Sequence, residues 1–574
     1  MVLVNICSSL VLICGLLFYK YIFPKKNINL FYLLLLISIL PILSIFRVGD
    51  YESGDFNIHI YRIMSFYDSL KEGILMPSWA AELNATYGYP LFIFNYPLPY
   101  YLVSLFHFVG FSFIASMKIF LASTYVFSGI FMYLFTKNLF KNSLAAFTAS
   151  IFYLFTPYHL IDLHFKVAVG ELLTFTLIPL IFLFLHKLYV RKKIIFLVLS
   201  SFSLTLLFMS NALISFFVVI LAFAYALFLT IKQPFSIKHL LQSLLLIFLA
   251  LVLSIYVWAP PLIFNSALYI KNLPLIIGYF PTIPDLLYSP WRTGFLFQGH
   301  YGEISNLIGY TQIFIITVIF FSFIFKQIPK NQKKDMIFWM FAIVFTIFLI
   351  TPSSRFIWKH LSFVKAAGSH RLLLILTFCI SVIAGYFVLI FKKRQLFVWV
   401  IIIITIGYTM LNWGHRRMIP KVSDTTLKKQ LWKSTSEGEG HYYANTKWVD
   451  IKSPWFSKLP NSNLEIITGT GQIKNILRTS ILHRYTITAE SPLKIRENTL
   501  YFPGWKGFIN GKEIFLSPSN KGIINANIPK GTFTLNVIYE DIFIYRLLKI
   551  ISLSAFIITA ICLIIIKTKL SSRL

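Results

Sequence analysis

The stretch ELLTFTLIPLIFLFLHKLYVRKKIIFLVLSSFSLTLLFMS, residues 171–210, decides the fold class. Two apolar runs, 171–190 and 194–209, flank a turn that carries Lys187, Arg191, Lys192 and Lys193. A helix needs about 20 apolar residues to cross a hydrocarbon core. The segment therefore reads as two membrane spans joined by a basic turn. Similar runs lie at 3–19, 29–46, 114–136, 143–160, 212–231, 240–262, 306–326, 336–351, 371–391, 394–411 and 545–566. With the first two they predict a polytopic α-helical membrane protein of about 13 transmembrane helices.

Composition points the same way. Of 574 residues, 57% are hydrophobic and 13% charged, whereas a soluble domain carries about 25% charged residues. Soluble, disordered and disulfide-scaffold classes are excluded. Cys7, Cys14, Cys379 and Cys562 all fall in apolar runs and read as packed thiols, not as disulfides or metal ligands. The net charge of +31 would suggest a nucleic-acid partner on a soluble chain. Here the cations collect in alternate loops: Lys20, Lys25 and Lys26; Lys137 and Lys141; the 187–193 turn; Lys232 and Lys238; Lys326, Lys330, Lys333 and Lys334; Lys392, Lys393 and Arg394; and Lys567, Lys569 and Arg573. Asp335 is the one acid among them. This is the positive-inside pattern, so no nucleic acid is expected. The pattern holds only if the proline-led apolar stretch 91–110 lies in the interface and does not cross. It places the N-terminus and residues 412–544 outside the membrane and the C-terminus on the cytoplasmic side. Segment 1–28 lacks a basic n-region and a small-residue cleavage site, so it reads as a first helix.

Residues 1–411 then form a transmembrane module with outer loops 47–113, 263–305 and 352–370. Residues 412–544 form an extracytoplasmic β-rich domain, and 545–574 a final helix with a basic tail. The alternating runs LEIITGTG, TLYFPGW and TFTLNVIYE predict strands, and Asn510-Gly511 predicts a hairpin, together a small β-sandwich or half-barrel. Trp505 and Tyr501 are glycan-face candidates, a structural cap being the more conservative reading.

The first outer loop opens GDYESGDFNIHIYRIMSFYDSLKEG, Gly49 to Gly73. Phe56, Ile60, Ile63, Tyr67 and Leu70 recur at helical spacing, predicting an amphipathic helix over 56–72. Asp55, His59 and Arg62 share one stripe of it. In the functional reading Asp55 or Asp50 is a general base, with His59 and Arg62 orienting it or binding phosphate. In the conservative one Asp55 is a helix N-cap and the other two lie on a wet face. Downstream, YGYPLFIFNYPLPYYL, Tyr87 to Leu102, interleaves aromatics and prolines, as an interfacial belt or a groove for a lipid-linked substrate would.

GDFNIHIYR followed by YGYPLFIFNYPLPYYL resembles bacterial membrane proteins labelled "6-pyruvoyl-tetrahydropterin synthase-related" and the allied YfhO-like proteins. These resemble the glycosyltransferase C (GT-C) superfamily, which includes protein O-mannosyltransferases, the lipid A aminoarabinose transferase and oligosaccharyltransferases. The likeness continues through PYHLIDLHFKVAVGELLTFTLIPL (157–180), FVKAAGSHRLLLILTFCISVIAGY (363–386), YFPGWKGFINGKEIFL (501–516) and IPKGTFTLNVIYE (528–540). It implies an outer-face transferase that uses a polyprenyl-phosphate sugar and inverts the transferred centre. An acid of the first outer loop acts as base, a role that falls on Asp55, with Asp50 in a nearby GD as the other choice. The pterin label carries no chemistry here, since no three-His zinc pattern is present.

Three further loops carry candidates. In 159–170, Asp162 and, at the next helix start, Glu171 are acceptor-sugar ligands or, with Asp55, ligands of a divalent cation, the one cofactor considered. The conservative reading is a solvated turn with a Glu favoured by the helix dipole. Loop 352–370 holds Arg355, Lys359, His360, Lys365 and His370, with Arg371 opening the next span, and no acid. Cations on the side that should be poor in them need an anionic partner. A donor phosphate fits Arg355, Lys359, Lys365, His370 and Arg371, and anionic lipid head groups are the alternative. In 263–305, Trp291, Arg292, Gln298 and His300 are sugar-site candidates or part of a covering loop. No P-loop or dinucleotide fingerprint occurs, which argues against a nucleotide-sugar donor.

The sequence thus predicts a GT-C-type membrane glycosyltransferase. It would act between a polyprenyl-phosphate-linked sugar and an envelope glycan, glycolipid or protein acceptor on the outer face of what the resemblance implies is a bacterial cytoplasmic (inner) membrane. Neighbouring His59 and Arg62 are expected to favour the Asp55 anion. The alternatives are a transporter or flippase of lipid-linked glycans and a non-catalytic envelope scaffold.

Overall fold

The computed structural model describes residues 2–50, 53–232, 237–267, 280–288, 305–326, 328–360, 368–414, 421–434, 446–449 and 458–571. Among these, seven helices are long and apolar enough to cross a membrane: Leu3–Ile22, Phe113–Phe140, Val169–Arg191, Ala212–Lys232, Ser369–Ile390, Gln395–Asn412 and Phe543–Ile565. Three further stretches are bent, two of them within runs expected as straight spans (143–160 and 240–262) and the third at the end of the run expected over 336–351. Ser143–Leu154 turns by 50° into Pro157–Lys166, Ile237–Leu253 by 61° into Ile255–Ile263, and Gln332–Ile350 by 78° into Pro352–His360. A proline opens the second piece of the first and third, Pro157 and Pro352. Proline lacks the N–H that would continue the ladder, and its ring disfavours helix in the residue before it. Leu30–Phe46, Ile195–Ser210 and Tyr310–Ile324 are shorter apolar helices. The protein is a multi-pass membrane protein.

Phe113–Phe140, Ser143–Leu154, Val169–Arg191 and Leu373–Ile390 pack on one another and form the centre of the bundle. Small residues let these backbones close up. A Cβ on Gly385 would lie 2.1 Å from the Phe140 ring, and one on Gly170 would lie 2.4 Å from the Ser210 carbonyl. At the peripheral first helix, Val2–Ile22, Asn5 donates to the carbonyls of Met410 and Trp413, both at 3.1 Å. Cys7, Cys14 and Cys562 face outward and only Cys379 is packed, so the expected burial of all four thiols does not hold. Asp335 is ion-paired with Lys232 at 2.6 Å.

The 91–110 stretch is two short helices, Leu91–Phe94 and Leu98–Phe108, broken at Asn95–Pro97. The amphipathic helix runs Phe56–Lys71.

The C-terminal part is all antiparallel: β1 (Leu464–Thr468), β2 (Gly471–Arg478), β3 (Leu482–Ala489), β4 (Leu493–Leu500), β5 (Trp505–Ile509), β6 (Lys512–Ile514), β7 (Ser517–Pro518), β8 (Ile523–Ile528) and β9 (Gly531–Tyr539). One sheet has the order β1-β4-β8-β7, the other β2-β3-β9-β5-β6. Asn510 and Gly511 both have positive φ, as the two-residue turn joining β5 to β6 requires. The sheets are stacked, since Glu497 of β4 reaches across to Arg478 of β2 (2.7 Å) and to His483 and Tyr485 of β3 (2.9 and 3.1 Å). Burial alone would push the Glu497 carboxyl up, but His483 and Arg478 outweigh it and hold it at about 2. Burial lowers the His483 imidazole, which leaves Arg478 as the constant counter-charge.

The sandwich is docked on the bundle through the segment after the amphipathic helix. Leu500 N–H donates to the Tyr87 carbonyl (2.9 Å), Arg478 to that of Thr86 (3.2 Å), and Ser480 N–H to Glu72 (2.9 Å). Trp79 is buried against Trp505, Phe502 and Tyr539. Trp505 is therefore a docking residue with its ring covered, which removes it as a glycan face. Tyr501 is half-buried edge-on to Trp448.

Candidate functional site

The site begins at a backbone clasp. The N–H groups of Gly54 and Asp55 donate to the carbonyls of Phe165 and Lys166, at 2.8 and 2.9 Å. The acceptor segment, Asp162–Lys166, is a wide π-helical turn closed by Val167 in a left-handed conformation and by Ala168 N–H on the Asp162 carbonyl at 3.2 Å. The extra residue in such a turn re-aims side chains, which is why π-turns recur at functional sites. Here the clasp fixes the start of the amphipathic helix beside the start of Val169–Arg191.

Four charged residues meet there. Lys166 Nζ lies 2.7 Å from Asp162 and 3.5 Å from Glu171. Arg371 Nε lies 3.5 Å from the other Glu171 oxygen. The Tyr158 hydroxyl donates to Glu171 at 2.5 Å, and Lys166 donates to the same hydroxyl at 3.3 Å while covering its ring. Asp162 and Glu171 are fully enclosed, so a solvated turn does not describe them. Buried carboxylates persist only when paired and hydrogen-bonded, and Lys166, Arg371 and Tyr158 meet that need.

Asp55 stands beside this cluster. It occupies the N-cap position of Phe56–Lys71, yet its side chain makes no capping bond. The Phe56 N–H goes instead to the Ser53 hydroxyl at 3.0 Å. The conservative account of Asp55 as a cap is therefore not what the structure shows. Burial pushes its carboxyl above the ordinary value, Lys166, Arg62 and Arg371 pull it down without cancelling the rise, and Glu171 adds to it. The expected net stabilisation of the anion is thus corrected, because desolvation outweighs the cations. His59 is corrected too. It is buried, not on a wet face, and burial together with Arg62 drives its imidazole well below the ordinary value. A neutral His59 lends Asp55 no positive charge. It packs between Tyr96 and Tyr100, with Arg62 buried on the same helix.

Asp50 belongs to a different neighbourhood, where its charge acts on Lys118 and Tyr61. Lys118 pins that loop by donating to the carbonyls of Arg47 and Gly49, both at 2.6 Å.

Of the basic loop, Arg371 joins the cluster, with His370 next to it on the short helical turn Ser369–Leu372. Arg355 and Lys359 lie on the exposed helix Arg355–His360, with the Arg355 guanidinium over the Phe280 ring at 5.5 Å. Lys365, Trp291, Arg292, Gln298 and His300 lie outside the described residues.

Sequence reasoning gave Lys166 no role and passed over Tyr158. The i, i+4 spacing of Asp162 and Lys166 was the available signal for the lysine. No local pattern marks Tyr158.

A divalent cation on Asp55, Asp162 and Glu171 does not fit. The Lys166 ammonium already lies between Asp162 and Glu171, and it and Arg371 would repel a second cation. Among the described residues no three His, Cys, Asp or Glu side chains gather in a metal-binding group.

No family model matches the chain. An uncharacterized protein of Lactococcus lactis subsp. cremoris (strain MG1363) is 24% identical over 337 residues, covering 57% of this chain and 54% of that one. The chain thus spans about half the length of the curated relative it matches. The Archaeoglobus fulgidus oligosaccharyltransferase in its apo form is similar at a TM-score of 0.42 and 14% identity, over 73% of this chain and 57% of that chain. The arabinofuranosyltransferase AftD from Mycobacteria is similar at a TM-score of 0.39 and 13% identity, over 68% and 28%.

Proposed function

We propose that the protein is a membrane glycosyltransferase of the GT-C type. It would move a sugar from a polyprenyl-phosphate donor to a hydroxyl of an envelope glycan, glycolipid or protein acceptor on the outer face of the cytoplasmic membrane. The observation that carries this reading is Asp55, whose side chain makes no capping bond to its own helix and stands beside Lys166, Arg62 and Arg371. The resemblance of GDFNIHIYR to the base-bearing loop of that superfamily supports it.

In the proposed reaction Asp55 takes the proton of the acceptor hydroxyl. The acceptor oxygen forms a bond to the anomeric carbon as the bond from that carbon to the phosphate oxygen breaks. The phosphate leaves with the electron pair, and the centre inverts. A base must be ionised at the working pH and within reach of the hydroxyl. Arg371, with Arg355, Lys359, Lys365 and His370 as further candidates, would meet the charge developing on the phosphate. Much of the acceleration would come from holding donor and acceptor together at the membrane surface. The Lys166 ammonium lies against both Asp162 and Glu171 and fixes them beside Asp55, so a positive charge is built into the chain at this place.

The test is release of polyprenyl phosphate from a panel of polyprenyl-phosphate sugars by purified protein with envelope acceptors. Release by wild type and its loss in Asp55→Asn supports the reading. Equal release by both moves the base to Asp50 or Asp162. Absence of release from every donor, with the donor bound and protected, favours a transporter.

A further inference from the structure

The outward face of the four-stranded sheet is a polar trough. Residues two apart on a strand share a face, and the register sets them in rows across it. Arg496 of β4 is opposite Glu465 of β1 and Asn525 of β8, and Asn525 is opposite Ser517 of β7. In the next row Lys494 is opposite Asn527. The turn after β7 and the chain leaving β6 wall the trough, with Phe515 on its rim, 85% exposed. The open trough holds about 780 Å³, within the roughly 300–1,000 Å³ of small-molecule sites.

Several features of this face are unexplained by folding. The Asn525 side-chain oxygen is buried without a hydrogen-bond partner among the described residues, and so is Arg496 Nε, although the Arg496 guanidinium also holds Glu465. Unmet buried polar atoms are unfavourable unless something else satisfies them. Lys494 forms no ion pair among the described residues, so Arg496 and Glu465 offset each other and the trough keeps one positive charge. Phe515 is a large aromatic left in solvent beside amides and hydroxyls.

We propose that this trough binds an anionic oligosaccharide. The amides of Asn525 and Asn527 and the Ser517 hydroxyl suit sugar hydroxyls, which donate and accept at once. Phe515 offers a flat apolar face to the C–H side of a sugar ring. Lys494 meets a carboxylate or phosphate on the chain. The proposal does not depend on chemistry at Asp55.

The experiment uses the full chain in phosphatidylcholine nanodiscs. Tetragalacturonate is the anionic probe and maltotetraose the neutral one, read by calorimetry and by saturation transfer to the sugar. The expected result is tetragalacturonate binding that weakens with salt, with maltotetraose about tenfold weaker. Phe515→Ala and Lys494→Ala should each raise Kd about tenfold, equivalent to about 1.4 kcal/mol. Asn527→Asp, an outward change that adds a negative charge, should weaken the anionic probe more than the neutral one, with an unchanged melting temperature as the folding control. Failure of tetragalacturonate to bind, or binding that none of the three substitutions alters, would overturn the site. Equal affinity for both probes would overturn the anionic class.

Discussion

The backbone N–H of Asp55 donates to the carbonyl of Lys166 at 2.9 Å, so the loop that carries the candidate base is fastened to the residue whose ammonium bridges Asp162 and Glu171. One strut therefore fixes both the position of Asp55 and the charge around it.

Substituting Asp55 should separate chemistry from folding. The clasp uses its backbone, and its side chain caps nothing. Asp55→Asn is expected to fold and to lose about 10²–10⁴-fold in transfer rate, read as polyprenyl phosphate release alongside the melting temperature. A melting temperature that falls with the rate would make Asp55 structural.

The pH profile follows from the raised Asp55 pKa. The base works as its anion, so the rate should rise with pH through that elevated value and be lost below it. Lys166, Arg62 and Arg371 pull the value down. Arg62→Gln should therefore move the acidic limb to higher pH, as a pH–rate series would show. A shift to lower pH would contradict the assignment.

Lys166→Met leaves Asp162 and Glu171 short of their shared cation. Removing one partner of a buried pair costs about 3–5 kcal/mol, to be read in thermal or denaturant unfolding in detergent. Wild-type release should persist in excess EDTA, because the ammonium occupies the place between the carboxylates. Loss in EDTA with recovery on adding a divalent cation would overturn that role.

Gly170→Ala tests how closely Val169–Arg191 must approach its neighbours. The new Cβ would lie 2.4 Å from the Ser210 carbonyl and 3.0 Å from the Tyr96 ring. Backbone cannot yield cheaply, so the expected loss is about 1–3 kcal/mol. Because Glu171 follows directly, the transfer rate should fall as well.

A second pH effect belongs to the contact between the amphipathic helix and Asp424–Gln430, where Lys428 bonds Asp68 at 3.2 Å. Burial and then the neighbouring Asp68 push the Glu82 carboxyl up to about 7. A raised carboxyl stabilises the folded state below its unfolded value near 4.5, and that contribution is lost as pH rises through about 7. Protection factors in 424–430, with the intrinsic exchange rate divided out, should fall from pH 5 to 8, and Glu82→Gln should flatten the trend.

Much of the architecture was legible along the chain. Apolar run length located the membrane helices, helical spacing located Phe56–Lys71, and Asn510-Gly511 located the β5–β6 hairpin, because each is a local property of neighbouring residues. The bends inside 143–160 and 240–262 were not placed: hydropathy averages over a window and does not register where a residue such as Pro157 stops a ladder. Trp505 is a glycan-face candidate in sequence beside the favoured reading of a structural cap, and the structure shows the cap, although nothing near it in sequence names Trp79 as its partner.

The sequence by itself determined a multi-pass helical membrane chain with a β-rich C-terminal part, and it singled out Asp55, Asp162, Glu171 and Arg371 one loop at a time. Only the tertiary structure decided that Lys166 bridges two of those acids, that Arg371 reaches Glu171 from a distant helix, and that His59 is neutral. The reason is physical. Periodicity and propensity act over a few residues, whereas ion pairing and desolvation depend on which surfaces the packed helices bring together and on how completely they exclude water.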